Sequence, residues 1–163
     1  MKPVWIDRRA HPDLHEAAWR FLVARGAAED VKHEGTTCLM VVSGEKVLGV
    51  VAFHDYRPSR RMVCMTVAFR TPIVALCREM WKEVEDYLSE DMRVEVLQTR
   101  ISAENRRSIR LHKAAGFSLS RIRNGAGLGK DMYVATLTWE DWRKSVLWRR
   151  IHESQGTKSH TAA

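Results

Sequence analysis

Hydrophobic and polar positions change period several times along the chain, and each change marks an element. Residues 36–42 and 47–54, in the stretch TTCLMVVSGEKVLGVVAFH, are apolar runs on either side of Ser43-Gly44-Glu45-Lys46, the clearest hairpin signal present. Ahead of it, Lys2–Ile6 reads as an edge strand. Residues 11–25 read as a helix with Leu14, Ala18, Phe21 and Leu22 on one apolar face and Gly26 at its end. The polar residues 27–35 are expected to form a loop. After a basic loop at 57–61, Met62–Phe69 reads as a strand with Met65, Val67 and Phe69 on one face and Cys64, Thr66 and Ala68 on the other. Helical spacing then runs through Ile73, Leu76, Cys77, Met80, Trp81, Val84, Tyr87 and Leu88. It predicts one helix from Pro72 to Ser89, with Thr71 as its N-cap.

The stretch RVEVLQTRISAENRRSIRLHKAAGF, from Arg93 to Phe117, organises the rest. Residues 93–99 read as a strand through Val94, Val96 and Leu97, and Ser102 is placed to cap the helix that follows. Asn105, Ser108 and His112 are three and four apart, so they form one polar stripe on that helix. Gly116 supplies the left-handed residue that closes it. Beyond lie a strand at Ser118–Ile122, a glycine-rich loop at 124–129, a strand at 131–138 and a helix at 139–150. The glycine-rich loop lacks a strand–loop–helix setting and is not a dinucleotide fingerprint. Residues 1–152 are predicted to form one α/β (α+β) domain, and the small polar residues 153–163 a disordered tail.

Composition narrows the class. A chain of 163 residues, 45% hydrophobic and 29% charged, encloses a core without staples. No apolar run approaches the ~20 residues of a membrane span, and the start MKPVWIDRRAHPD lacks a signal-peptide core. Cys38, Cys64 and Cys77 show neither disulfide nor zinc spacing, so no metal site is predicted, and a reducing cytoplasm is the expected setting. The net charge of +7 points to a nucleic acid, an acidic partner or a polyanionic cofactor.

The string N-x-x-S-x-x-x-H-K-x-x-G-F, Asn105 to Phe117, resembles the signature of the GNAT acyltransferase superfamily, whose members move an acetyl group from acetyl-CoA to an amine. The element order is similar to that family's over Val4 to Trp142. The closing GKDMYVATLTWEDWR is similar to the end of small phage-encoded members and of ribosomal-protein N-terminal acetyltransferases. The resemblance implies a mostly antiparallel mixed sheet with a splayed strand pair, flanked by helices. It also implies acetyl-CoA as co-substrate, with its pantetheine arm on the main chain of Val67, Ala68 and Phe69 and on Asn105 and Ser108. The phosphate loop would be Arg70-Thr71-Pro72-Ile73-Val74-Ala75, where Arg70, Thr71 and Ala75 are the candidate binding residues and Ile73 replaces a glycine. A helix N-terminus beside an arginine suits a phosphate on physical grounds as well. His112 occupies the position where many members carry a proton-donating tyrosine, and an imidazole can donate a proton to the leaving thiolate. His54, beside Asp55, is the candidate base.

The implied reaction is direct attack of an amine, of a protein or a small molecule, on the thioester, by a monomer or homodimer. Glu29, Asp30 and Glu34 could attract a cationic amine. A second class stays open: a GNAT-shaped binding protein without catalysis, engaging nucleic acid or an acidic partner through its arginines. Those arginines are scattered with little aromatic interleaving, so nucleic acid is the less favoured partner.

Overall fold

The computed structural model describes residues 1–28 and 35–153, so Glu29, Asp30, Glu34 and the predicted tail beyond Glu153 lie outside the described residues. The chain divides into two compact units, with the boundary between Arg100 and Ile101.

The first unit is built on strands β1 (Lys2–Ile6), β2 (Thr37–Ser43), β3 (Lys46–Arg57), β4 (Met62–Phe69) and β5 (Val96–Ser102), neighbours in chain order, with the last two residues of β5 past the boundary. Pairing is antiparallel from β1 to β4. The predicted hairpin closes at Ser43↔Lys46, and Gly44 takes the positive φ (57°) the turn requires. β4 and β5 are parallel, as a long helical crossover allows.

Helix α1 (Pro12–Ala24) covers one face of this sheet, packing Ala18, Trp19 and Leu22 against Cys38, Met40, Val50, Ala52 and Ala68. Its buried face is rotated from the predicted one. His15 and Trp19 are buried, whereas Leu14 is 45% exposed. The buried imidazole of His15 is satisfied by the Thr36 carbonyl at 3.0 Å, so a polar residue takes a core position that periodicity assigns to an apolar one. Phe53, one residue on from Ala52, faces the other side, where its ring lies 5.6 Å from Tyr87 and 6.2 Å from Trp5.

The single helix predicted from Pro72 to Ser89 is three pieces. A 3₁₀ turn spans Pro72–Leu76, α2 spans Arg78–Asp86, and a π turn follows at Tyr87–Asp91. Cys77 breaks the run with an extended backbone (ψ 109°), and Trp81 Nε1 donates to the Ala75 carbonyl (2.8 Å) across the break. Val74, Ala75 and Cys77 are buried, whereas Ile73 and Leu76, which the helical spacing places on the apolar face, are exposed, because the tighter 3₁₀ turn rotates the face at the start of the segment. β5 also starts later than predicted. Arg93 turns the chain at φ 50°, and Leu97, Thr99 and Ile101 alternate into the interior.

The second unit holds α3 (Arg106–Ala114), the antiparallel pair β6 (Ser118–Ile122) and β7 (Met132–Thr138), α4 (Trp139–Lys144) and α5 (Val146–His152). The helix predicted over 139–150 is split because Ser145 has extended backbone (ψ 157°) and caps α5 by accepting from the Trp148 amide at 3.0 Å. Gly116 closes α3 at φ 89°, as predicted, and a Cβ there would lie 2.7 Å from the Asp141 carbonyl oxygen.

Candidate active site

β4 and β5 pair at Met62↔Val96, Val63↔Leu97 and Cys64↔Gln98, and among the described residues their ladder ends there. β4 continues to Phe69 with β3 alone beside it in the ladder. This is the splayed pair, and it leaves the edge of β4 beyond Cys64 open to an extended chain. A cleft of about 200 Å³ opens at the fork. Its lining comes from β3 (His54, Asp55), β4 (Cys64, Met65, Thr66), β5 (Gln98, Thr99, Arg100) and the α1 side (Trp19, Ala27, Ala28).

Strand geometry explains why these side chains converge. His54 pairs with Cys64, and Cys64 with Gln98, so the three form one row across three strands on one face. Thr66 follows Cys64 by two residues and shares that face. Asp55, adjacent to His54, would normally point to the opposite side. A bulge between His54 and Arg57 and a positive φ at Asp55 (52°) bring its carboxylate back.

His54 Nδ1 lies 2.9 Å from Asp55 Oδ2, and Nε2 lies 2.9 Å from Thr66 Oγ1. The carboxylate can only accept, so Nδ1 carries the proton, and in the neutral ring Nε2 accepts from the threonine hydroxyl. Hydroxyl, imidazole and carboxylate thus form a hydrogen-bonded chain with its hydroxyl end on the cleft. Cys64 takes no part in it. Its Sγ lies 3.8 Å from Gln98 Oε1, and burial first, then the nearby Asp55 carboxylate, push its thiol pKa up. His54, Asp55 and Cys64 also place one ligand-type atom each within 4.8 Å of one another. Both nitrogens of His54 are already engaged by Asp55 and Thr66, and Cys64 comes near as the cross-strand partner of His54.

The junction after β4 departs from the predicted helix N-terminus. Thr71 makes no side-chain cap, and Arg70 is held back against β3, its amide donating to the Leu48 carbonyl (2.7 Å) and its Nε to that of Val47 (2.6 Å). Ala75 is buried in the 3₁₀ turn, and Ile73 is 65% exposed, so the side chain that replaces the family's glycine points outward.

In the second unit, Asn105 caps α3. Its Oδ1 accepts from the Ser108 amide at 3.0 Å, which takes the role predicted for Ser102, now the last residue of β5. His112 is 3% exposed, its ring edge-on to Phe117 at 4.8 Å and its Nδ1 2.8 Å from the Ser108 carbonyl. A carbonyl can only accept, so Nδ1 holds the proton. Burial lowers the pKa of His112, against a smaller opposing effect of that bond, and favours the neutral ring.

Residues 4–118 match the acetyltransferase (GNAT) domain family. The chain belongs to the GNAT acetyltransferases. As a member of that family it is an acetyl-CoA-dependent acetyltransferase that acts on amines. The fold is shared with the spermidine N-acetyltransferase of Vibrio cholerae. In complex with CoA and spermine, that protein is 11% identical, with TM-score 0.65 over 86% of this chain and 96% of the other. Mutant forms of the same spermidine/spermine N-acetyltransferase give 10% identity and TM-score 0.67 over 88% and 96%. No curated protein sequence matches the chain significantly. Among the described residues no helix of this GNAT chain is long and apolar enough to cross a membrane.

Thr66 and Gln98 escape sequence reading because only the cross-strand register brings them to His54 and Cys64. The hairpin alone does not give the β4–β5 register.

Proposed function

We propose that this acetyltransferase acetylates a primary amine held in the cleft at the β4–β5 fork, by direct attack of the amine on the thioester. The observation that carries the reading is the hydrogen-bonded chain Thr66–His54–Asp55 at the point where the two strands part. Acetyl-CoA supplies the activated acetyl group, and the open edge of β4 fits an extended arm. The main chain of Val67, Ala68 and Phe69 would hold it, followed by Arg70, Thr71 and Ala75, with Ile73 turned out of the way.

An amine attacks only as the free base, and its second proton must leave as the bond forms. His54 receives that proton through the Thr66 hydroxyl, and Asp55 fixes the ring with Nε2 toward the cleft and stabilises the imidazolium. The exposed side of Asp55 also favours a cationic amine approaching the fork.

The test is calorimetric titration with acetyl-CoA, joined to a CoA-release assay over a panel of primary amines. The wild type should bind and turn over. Arg70→Ala should weaken binding about tenfold, equivalent to roughly 1.4 kcal/mol. His54→Gln should bind acetyl-CoA unchanged and lose about 10²-fold or more in turnover. Binding without turnover on any amine, together with salt-sensitive retention on DNA, would instead favour a non-catalytic binding protein.

A further inference from the structure

The order hydroxyl, imidazole, carboxylate at the fork does more than draw a proton from an amine. Thr66 Oγ1 lies 2.9 Å from His54 Nε2, and His54 Nδ1 lies 2.9 Å from Asp55 Oδ2. These are the contacts by which a base and its orienting carboxylate turn a hydroxyl into a nucleophile, an arrangement recognised by geometry rather than by sequence position. Three features make the comparison more than a pair of distances. The bulge and the positive φ of Asp55 are a local departure from strand geometry, and their effect is to set this carboxylate on Nδ1. The imidazole is largely shielded, its side chain 12% exposed, and Thr66 lines the same cleft. Thr66 also stands on β4 just past its last ladder pair with β5, at the edge that the proposed function gives to the thioester arm.

We infer that Thr66 is an acyl acceptor: when no amine fills the cleft, its hydroxyl takes the acetyl group and water then releases it as acetate, so the same site hydrolyses acyl thioesters. This rests on the proposed function for the location of the thioester, but not for the activation of the hydroxyl. In the first step Thr66 Oγ forms a bond to the acetyl carbon as the carbon–sulfur bond breaks. The hydroxyl proton passes to His54 Nε2 and from there to the departing sulfur, giving free CoA thiol. In the second step water adds to the threonine ester and gives its proton to His54. The carbon–oxygen bond to Thr66 breaks, and the proton returns to the hydroxyl. Nothing is oxidised or reduced. Cys64 is the rival nucleophile in the cleft, but its sulfur faces Gln98 rather than His54.

The inference is tested without any amine. The protein is mixed with acetyl-CoA and, separately, with p-nitrophenyl acetate, an activated ester that needs no CoA groove. Acid-quenched samples are then weighed intact and mapped by peptide. The expected result is a mass gain of one acetyl group on the Thr66 peptide, stable to neutral hydroxylamine as an ester is and a thioester is not, with slow release of acetate. Thr66→Val, checked for folding by thermal melting, should lose the adduct. Asp55→Asn tests a positioning residue. It should slow acylation about 10²-fold and move the pH profile to lower pH, because an imidazolium without its carboxylate is less stable. Absence of the adduct with both reagents, or an adduct that hydroxylamine strips from Cys64, overturns the inference. If amines are nevertheless acetylated, the proposed function stands and only the acyl-threonine step is lost. An adduct from the ester but not from acetyl-CoA upholds the activated threonine and puts the failure in the cofactor groove.

Discussion

The two histidines that the sequence offers for catalysis, His112 and His54, are physically opposite. His54 has an acceptor-only group at one nitrogen and a hydroxyl at the other, so its ring is oriented and its base side leads to the cleft. His112 is 3% exposed, and its proton is committed to the Ser108 carbonyl. Its folded pKa is lowered from the ordinary 6.5. The unfolded chain therefore binds more protons than the folded one between the two values, and stability falls as the pH drops through that window. Thermal melts followed from neutral pH down through about 6 should show a loss of Tm that His112→Phe reduces. A profile left unchanged by that substitution would show that His112 is not the titrating group. The same burial argues that His112 contributes packing against Phe117, and His112→Ala should cost about 1–3 kcal/mol in the same melts.

At the scale of elements, helix ends carry more of the information than helix interiors. Asn105 caps α3 through its side chain, so Asn105→Ala should destabilise the second unit by about 1 kcal/mol, and Asn105→Asp should restore most of it. Chemical denaturation of both variants decides this. Gly116 is constrained twice, by φ 89° and by the Asp141 carbonyl where a Cβ would lie, so Gly116→Ala should cost more than the ~1 kcal/mol of an unhindered left-handed position. The strands β1, β4 and β6, the hairpin turn at Gly44 and the closure at Gly116 were legible from residue pattern alone, because turn chemistry and alternation are local. The Pro72–Ser89 segment was not, since Cys77, Met80, Trp81, Val84 and Leu88 keep helical spacing, while the uninterrupted apolar run 73–77 does not say that a 3₁₀ turn buries Val74 and Ala75 and exposes Ile73 and Leu76. The split at Ser145 was missed for a different reason. Serine is a poor interior residue but a good cap, and only the extended backbone at that position shows which role it plays. Of the site, His54 and Asp55 could be named as neighbours in sequence. Thr66 could not, because its partner is twelve residues away and reaches it only through the β3–β4 register.

At the scale of the whole molecule, the charge of +7 acts before any contact is made. Acetyl-CoA is a polyanion, and a basic protein raises its local concentration and its rate of encounter. Arg106, Arg107 and Arg110 are exposed on α3, and Arg70 is exposed after β4, so positive charge is presented by both units. Long-range attraction of this kind is screened as the Debye length falls from about 30 Å in 0.01 M salt to about 10 Å in 0.1 M. Contacts made in the bound state are screened less. Stopped-flow association of acetyl-CoA should therefore slow about three- to tenfold over that range, while dissociation changes by much less. A net charge spread over the surface would steer DNA as well, so the comparison that matters is competition. If acetyl-CoA binds at its own groove, excess duplex DNA should lower its association rate through charge neutralisation and leave its dissociation rate unchanged. DNA that abolishes acetyl-CoA binding at saturating cofactor would mean that both occupy one basic surface. The arginines would then belong to a nucleic-acid site rather than to the steering of a cofactor.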